Sequence, residues 1–135
     1  MPEQEQEKHK PEKTAYRRDE EFETLYANNV YFELSAWDLK IIFGQLDQSK
    51  EVTTIEQHTA MVIPWAQAKL MSYLLQVNIA IYESDHGKIK LPTGVLPKQI
   101  PPPENATAQE KGLNATIEEM RQRLILEQHP NEPSK

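Results

Sequence analysis

The 135-residue sequence has no cysteine, only four glycines and no long hydrophobic run. Without cysteine there is no disulfide framework, no thiolate metal ligand and no thiol nucleophile. The glycines do not form the glycine-rich loop that binds phosphate groups. No apolar stretch approaches the roughly 20 residues of a membrane span, and the N-terminus lacks a signal-peptide core. These absences predict a cytoplasmic protein without a membrane anchor.

Candidate catalytic and metal-binding residues are also scarce. The four histidines stand in four different segments, none paired at metal-ligand spacing: His9, His58, His86 and His129. Asp85 beside His86 could orient an imidazole, and Glu56 with His58 could bind a cation or move a proton. The simpler interpretations are a contact with a helix dipole and a solvated strand edge. The sequence predicts no enzyme, no cofactor and no metal site.

Composition divides the chain into five segments. Residues 1–24 hold 8 acidic and 5 basic side chains with little apolar area, which predicts a disordered charged arm. Residues 25–91 form the predicted core domain. Residues 92–112 are proline-rich and are interpreted as a linker. An amphipathic tail helix is predicted at 113–128, and disorder at 129–135.

Alternating apolar residues predict a β-meander in the core. In residues 29–35 and 38–46 apolar side chains recur at every second position, the period of a half-buried strand. A short connection pairs these strands as an antiparallel hairpin, and Gly44 predicts a bulge or close backbone approach where the second strand ends. A third run, 52–63, has a polar middle and is predicted as an edge strand or a strongly twisted strand. Residues 88–91 are a candidate fourth strand.

A long helix is predicted after the third strand. Pro64 fits the first helical position and Ile63 the N-cap. The helix should end near His86, with Gly87 as a left-handed terminator. The predicted fold class is α+β: a three- to four-stranded antiparallel β-meander packed by one long α-helix, plus a short C-terminal tail helix.

The apolar side chains of this helix cover about 200° of its circumference, whereas one small sheet needs only about 100°. A core of 67 residues is also marginal alone. Both observations predict a second copy of the chain across a two-fold axis. The predicted interface residues are Leu70, Leu74, Val77, Asn78 and Ile81.

Asn78 lies near the centre of this apolar arc. At a two-fold axis its amide would pair with its symmetry mate and fix the register, as asparagine does in coiled coils. Alternatively, it bonds to a backbone group at the end of the sheet within one protomer. A buried amide without a partner costs about 1–3 kcal/mol. Either interpretation therefore gives the side chain a hydrogen-bond partner.

The tail contains the second candidate helix. Thr116-Ile-Glu-Glu119 fits a capping box, and the apolar stripe that follows consists of Ile117, Met120 and Leu124. A helix of about 13 residues is marginal alone. The stripe is therefore expected to dock on the core or in a groove of an unidentified protein partner.

Four short motifs in residues 25–90 carry a family resemblance. They are Tyr26-Ala-Asn-Asn29, Phe43-Gly-Gln45, Ala68-Lys69, and Tyr82-Glu83 with Gly87-Lys-Ile89. Their order and spacing resemble a family of small bacterial and archaeal proteins known only as a domain of unknown function. The resemblance implies no established activity, cofactor or catalytic residue. In some bacterial lineages similar genes lie beside RNA polymerase subunit genes, which indicates an association with the transcription machinery.

The sequence thus predicts a small, dimeric, non-catalytic protein-interaction module of unknown cellular role. The alternative hypothesis is a nucleic-acid-binding regulator that uses the sheet face or the dimer helices. The formal net charge of -6 and the lack of a basic patch argue against nucleic acid as the partner.

Overall fold

The structure, a computed structural model, describes residues 13–49 and 51–130. Residues 1–12 and 131–135, for which the sequence predicts disorder, lie outside these ranges. His9 lies outside them too. In chain order the regular elements are β1 (Asn29–Leu34), β2 (Asp38–Asp47), β3 (Thr54–Pro64), α1 (Trp65–His86), a single 3-10 turn (Thr93–Val95) and α2 (Ala108–Gln128). The α+β class is confirmed. The chain forms two compact units, residues 1–70 and 71–135.

The three strands form one antiparallel sheet in the order β1-β2-β3. The predicted hairpin and the edge position of β3 are confirmed. Among the described residues the buried hydrophobic side chains are Leu39 and Ile41, which are 8% and 4% exposed. Both lie on β2, because only the central strand has a neighbour on each side.

Both faces of the sheet carry apolar side chains. On one face the register aligns Tyr31, Ile42 and Ala60 across the three strands. In the next row Lys40 Nζ donates to Glu33 Oε2 at 2.8 Å, and this hydrogen bond raises the pKa of Lys40. The apolar row of Tyr31, Ile42 and Ala60 is therefore flanked by one ion pair.

Gly44 lies at a β-bulge, as predicted. The pairing register of β2 with β3 shifts between Phe43 and Gly44. A Cβ atom at Gly44 would lie 2.8 Å from the carbonyl oxygen of Glu56. This distance is too short for two nonbonded atoms, so any larger residue would require the backbone to move. The strand does not end there, contrary to the prediction, because the bulge shifts the pairing and β2 continues to Asp47.

The start of α1 differs from the prediction. Pro64 is the last residue of β3 and pairs with Asp38, and Ile63 pairs within the sheet. The first helical residue is Trp65, whose indole N–H donates to the carbonyl oxygen of Ser35 at 3.0 Å. Strand pairing thus extends through the proline, and the indole fixes the helix start to the β1–β2 turn.

The tail helix α2 has 21 residues and is not short. Its N-cap is Thr107, whose hydroxyl accepts the N–H of Glu110 while the Glu110 carboxylate accepts the N–H of Thr107. The capping box predicted at Thr116 is wrong, since that hydroxyl donates to the carbonyl oxygen of Gly112 inside the helix. Residues 108–112 of the predicted linker are therefore helical.

The candidate fourth strand is also absent: within the described part of the chain, residues 88–91 belong to no strand. Their backbone groups bond to side chains instead. The N–H of Ile89 donates to Glu83 Oε1 and the N–H of Leu91 donates to Gln128 Oε1. These bonds replace the ladder that a strand would have provided.

Candidate interaction surface

Helix α1 exposes a long uncharged surface. Residues 70–82 are 13 consecutive positions without a charged side chain, and no residue of α1 is buried. Within this stretch Leu70, Leu74 and Ile81 are 49%, 46% and 57% exposed. A helix that faces water ordinarily carries charged residues on its exposed side. The surface is therefore typical of a protein interface.

The predicted interface residues lie together on one side of this helix, here named the 70–81 face: Leu70, Leu74, Val77, Asn78 and Ile81. Val77 is half-buried and the other four are exposed. A second exposed set, the 75–79–82 row, consists of Leu75, Ile79 and Tyr82. At 100° per residue the two sets are centred about 120° apart. One neighbouring element cannot cover both.

Asn78 satisfies part of its hydrogen-bonding capacity within its own helix. Its Nδ2 donates to the carbonyl oxygen of Leu74 at 2.7 Å, a partner that neither predicted interpretation included. An asparagine amide has a second N–H and a carbonyl oxygen beyond this bond. The bond therefore holds the side chain along the 70–81 face and is compatible with pairing to a symmetry mate.

The Tyr82-Glu83 motif forms the C-terminal end of α1. Gly87 has φ 83°, the left-handed conformation predicted for a helix terminator. The Glu83 carboxylate accepts the N–H of Ile89 at 3.0 Å and the Nζ of Lys88 at 3.1 Å. These bonds, chiefly the one from Ile89, lower the pKa of Glu83. The motif has a structural role in turning the chain after the helix.

His86 belongs to the same helix end. Its ring stacks on the Tyr82 ring with centroids 4.4 Å apart, and its Nδ1 lies 3.1 Å from the carbonyl oxygen of Tyr82. A carbonyl oxygen only accepts, so Nδ1 carries the proton. The ring is therefore oriented by the helix backbone, in line with the simpler interpretation of His86.

The Tyr26-Ala-Asn-Asn29 motif and Gly44 meet at the bulge. Asn28 donates its backbone N–H to the carbonyl oxygen of Gly44 at 3.1 Å, and its Oδ1 accepts the N–H of Leu46 at 2.6 Å. His58, the extra residue of the bulge, places Nε2 2.9 Å from the carbonyl oxygen of Tyr26. Together these contacts hold the segment before β1 against the bulge.

The proline-rich segment lies along α2. We name residues 89–103 the strap. At one end the Gln128 amide donates to the carbonyl oxygen of Ile89 at 3.0 Å and accepts the N–H of Leu91 at 2.7 Å. At the other end Ile100 and Pro103 line a shallow hollow with the first turns of α2. The strap and α2 therefore run antiparallel.

The half-buried side chains of α2 are mostly polar, and its apolar stripe is mostly exposed, with Leu113 and Ile117 at the edge of the hollow beside Ile100 and Pro103. The half-buried polar side chains include Asn114, Glu118, Arg121 and Gln128. Of the predicted docking residues, Ile117 and Met120 are 51% and 65% exposed, and Leu124 is half-buried. Leu113 extends the stripe and is 61% exposed. Polar contacts thus position the helix while its apolar side remains open.

A hydrogen-bonded ion pair strengthens the polar side of α2. Arg121 Nη2 and Nε donate to Glu118 Oε1 and Oε2 at 2.8 and 2.9 Å. The bonds from Arg121 and from Gln122 lower the pKa of Glu118 to about 2. Glu118 is therefore ionised at any pH near neutrality.

In residues 13–49 and 51–130 no group of three or more histidine, cysteine, aspartate or glutamate side chains is placed to hold a metal ion. Glu56 lies in the sheet opposite Gln45, whereas the His58 ring contacts Tyr26 and Thr59. The structure thus gives the two side chains separate partners. Over the same residues, no helix has the length and apolar character needed to cross a membrane.

Sequence reasoning missed the roles of Asn28 and Gln128. Each side chain bonds to backbone groups far along the chain, Asn28 to Leu46 and Gln128 to Leu91. No local pattern marks such contacts. The earlier helix start had a visible signal, since Thr107-Ala-Gln-Glu110 has the same capping-box spacing as the box chosen at Thr116.

Comparison with known protein families identifies the family of this chain. A family model described as a protein of unknown function (DUF3467) matches residues 1–91. No curated protein and no solved structure matches the chain. The matched part contains the sheet, α1 and the four motifs; α2 lies beyond it.

Proposed function

The chain belongs to the DUF3467 family of proteins of unknown function, and from this premise we propose that it is a non-catalytic protein-interaction module that works as a homodimer. The 70–81 face of α1 forms the contact between the two copies. The remaining apolar surfaces serve contacts with other proteins.

One observation carries the proposal: apolar surface is abundant but mostly unburied. Two hydrophobic side chains are buried in the described part of the chain, whereas the 13 uncharged residues of α1 are all exposed except for Met71 and Val77, which are half-buried. Burial of apolar area is the main favourable term in folding and in association. Association supplies the burial that a single copy lacks.

A dimer interface centred on the 70–81 face would extend beyond its five residues. A stable interface takes about 800 Å² from each partner, on the order of 20–30 residues. A two-fold contact through the 70–81 face uses the same residues twice, because the interface is isologous. Asn78 near its centre then favours one register over the others, as a buried polar residue does in a coiled coil.

The direct test is the mass of the purified chain in solution by light scattering. We expect twice the chain mass of 15.6 kDa. Leu74→Glu places a charge in the centre of the 70–81 face and should give single mass with unchanged helix content by circular dichroism. The matched control is Gln76→Glu, on the opposite side of α1, which should remain dimeric. A wild-type chain of single mass would contradict the proposal.

Asn78→Leu tests whether the amide aligns the two copies or stabilises one of them. Without a polar group at the interface, several alignments of the two helices become similar in energy, so we expect a folded protein with a mixture of oligomer masses. An unchanged mass together with lower thermal stability would instead assign Asn78 a role within one protomer, through its bond to Leu74.

For the cellular partner, association with the transcription machinery is the first proposal to test. Full-length tagged protein would be used to capture partners from native cells, followed by mass spectrometry. Enrichment of RNA polymerase subunits over an untagged control is the expected result, and their absence would remove this part of the proposal. Salt-dependent retention on DNA or RNA would favour the nucleic-acid-binding alternative.

A further inference from the structure

The end of α1 and the end of α2 are bonded to the same short piece of chain. Ile89 donates its N–H to Glu83 Oε1 at 3.0 Å and accepts the Gln128 Nε2 amide on its carbonyl oxygen at 3.0 Å. Gln128 Oε1 also accepts the N–H of Leu91 at 2.7 Å. One residue thus has both of its backbone polar groups bonded to side chains, and these side chains come from two different helices.

We infer that Glu83 and Gln128 act as a single clasp on Ile89, through which the C-terminal end of α1 controls whether α2 stays docked on the strap. Glu83 is a positioning residue in this Ile89 clasp. Its carboxylate bonds to Ile89 and Lys88, which both precede α2, so it acts on α2 through the backbone of Ile89. The clasp forms within one copy and goes beyond the proposed homodimer.

The two bonds are coupled because they share one residue. Peptide groups are planar, so the direction of the Ile89 carbonyl relative to its N–H depends only on the φ and ψ of that residue. While Glu83 holds the N–H, the carbonyl oxygen stays within reach of the Gln128 amide. Once the N–H is released, the Gln128 contacts alone must offset the conformational entropy of ordering the segment.

Gly87 presets the turn that brings Ile89 back to Glu83. Its φ of 83° lies in the left-handed region that glycine adopts at no steric cost. The N–H of Gly87 donates to the carbonyl oxygen of Glu83 at 2.9 Å. Glu83 therefore holds the returning chain with its backbone at Gly87 and with its side chain at Ile89.

Burial separates the clasp from an ordinary surface contact. The Glu83 side chain is 19% exposed, whereas that of its ion-pair partner Lys88 is 78% exposed. Gln128 and Leu91 are half-buried. A polar group shielded from water costs more to leave unpaired than one in open solvent. The bond from Ile89, and not the exposed ion pair, therefore carries the coupling.

The clasp joins the family-matched part of the chain to the tail helix. The family model ends at residue 91, and Glu83, Gly87 and Ile89 all belong to the motif at the end of α1, whereas Gln128 belongs to α2. Coupling between two sites is reciprocal. A change at the end of α1 therefore loosens α2, and release of α2 loosens the last turn of α1.

Amide hydrogen exchange of the full-length chain, resolved by residue, tests the clasp. Glu83→Ala should make exchange in α2 about fivefold to tenfold faster, the factor that corresponds to one net hydrogen bond. The double variant with Gln128→Ala should exchange no faster than Gln128→Ala alone, because either change opens the same clasp. Unchanged exchange in α2 of Glu83→Ala, or effects that multiply in the double variant, would overturn the inference.

Three further variants separate the clasp from simple damage to the helix end. Ser84→Ala removes a bond to the carbonyl oxygen of Ile81 in the same turn, and Lys88→Ala removes the exposed ion pair; both should leave exchange in α2 unchanged. Glu83→Gln keeps an oxygen that accepts the N–H of Ile89 and should retain most of the protection. Faster exchange in α2 of Ser84→Ala would show that any loosening of α1 reaches α2, which would overturn a specific clasp.

The reverse direction is measured in the same experiment and does not require Glu83→Ala to fold. Gln128→Ala leaves the sequence of α1 intact, yet exchange at the N–H groups of Gly87 and Ile89 should become faster by a similar factor. Protection retained at both groups would mean that Glu83 holds Ile89 without Gln128, and the clasp would be rejected. Light scattering of the same samples reports the homodimer separately, since a chain of single mass can still form the clasp.

Discussion

The sheet and the helices are stabilised in different ways within the same chain. In the sheet, β2 has a strand on each side, and its apolar residues Leu39 and Ile41 are buried. The helices are held by hydrogen bonds at their ends and along polar sides, while their apolar rows stay exposed. Within the described residues, burial is thus concentrated on the central strand, whereas the apolar rows of the helices are exposed.

The largest effect should come from emptying the centre of the sheet. Ile41→Ala removes a side chain that is 4% exposed and should lower the free energy of unfolding by about 2–5 kcal/mol. Urea unfolding followed by circular dichroism measures this change. The control, Val62→Ala, alters a side chain that is 58% exposed on β3. Equal losses for both variants would break the distinction between a buried sheet centre and open surfaces.

A smaller loss is expected at the bulge. Gly44→Ala places a Cβ atom 2.8 Å from the carbonyl oxygen of Glu56, so the backbone must shift at a cost of about 1–3 kcal/mol. Gly94→Ala is the matched control, because its Cβ atom would meet nothing within 4 Å. The same unfolding experiment measures both. A neutral Gly44→Ala would mean that the bulge accommodates a Cβ atom without strain.

On the helix side, Gln128→Ala removes the contact that fastens α2 to the strap. The loss of its bonds to Ile89 and Leu91 should cost about 1 kcal/mol. Amide hydrogen exchange should then be faster in α2 while exchange in β2 stays unchanged. Gln109→Ala, at the other end of α2, is the control. Faster exchange in β2 as well would contradict separate stabilisation of the sheet and the tail.

The smallest effect is expected from acid, because one ion pair at a helix surface contributes little. The pKa of Glu118 is about 2, below its ordinary 4.5, chiefly through the bonds from Arg121. A lowered pKa in the folded state gives stability that is present above pH 4.5 and lost as the pH falls toward 2. Glu118→Gln should weaken this loss in thermal unfolding measured across that range. An identical acid profile in the variant would assign the loss to other groups.

Local patterns in the sequence were enough to predict the sheet. The two-residue period identified β1 and β2, the polar middle of the third run identified β3 as an edge, and Gly44 and Gly87 marked a bulge and a helix end. Each of these features depends on neighbours close in sequence or on a conformation that glycine favours. Such features are visible without knowledge of tertiary contacts.

Features that depend on distant or competing partners were predicted wrongly or missed. Pro64 was assigned to the helix because a proline suits a first turn, but Asp38 pairs with it as the last strand residue. Two capping boxes competed for the start of α2, and the upstream one at Thr107 forms, so the helix begins nine residues before a start capped by Thr116. The strap was assigned as a linker because nothing local indicates Gln128 as its partner.

Of the interface residues predicted from the sequence, Leu70, Leu74, Asn78 and Ile81 are exposed on one side of α1. Their role as a dimer contact stays a prediction. The helical period is enough to place such residues on one side of α1, since it determines which side chains share that side. It cannot identify what covers them, because that depends on a surface outside the helix.

The protein has two tryptophans, and they lie in contrasting surroundings. Trp37 is 86% exposed in the β1–β2 turn, while the Trp65 indole donates to Ser35 in the same turn. Replacing Trp37 with phenylalanine would leave Trp65 as the one tryptophan, which can be excited selectively over the five tyrosines, at the point where strand becomes helix. Its emission colour and quenching by iodide would then report the opening of that junction without any added dye.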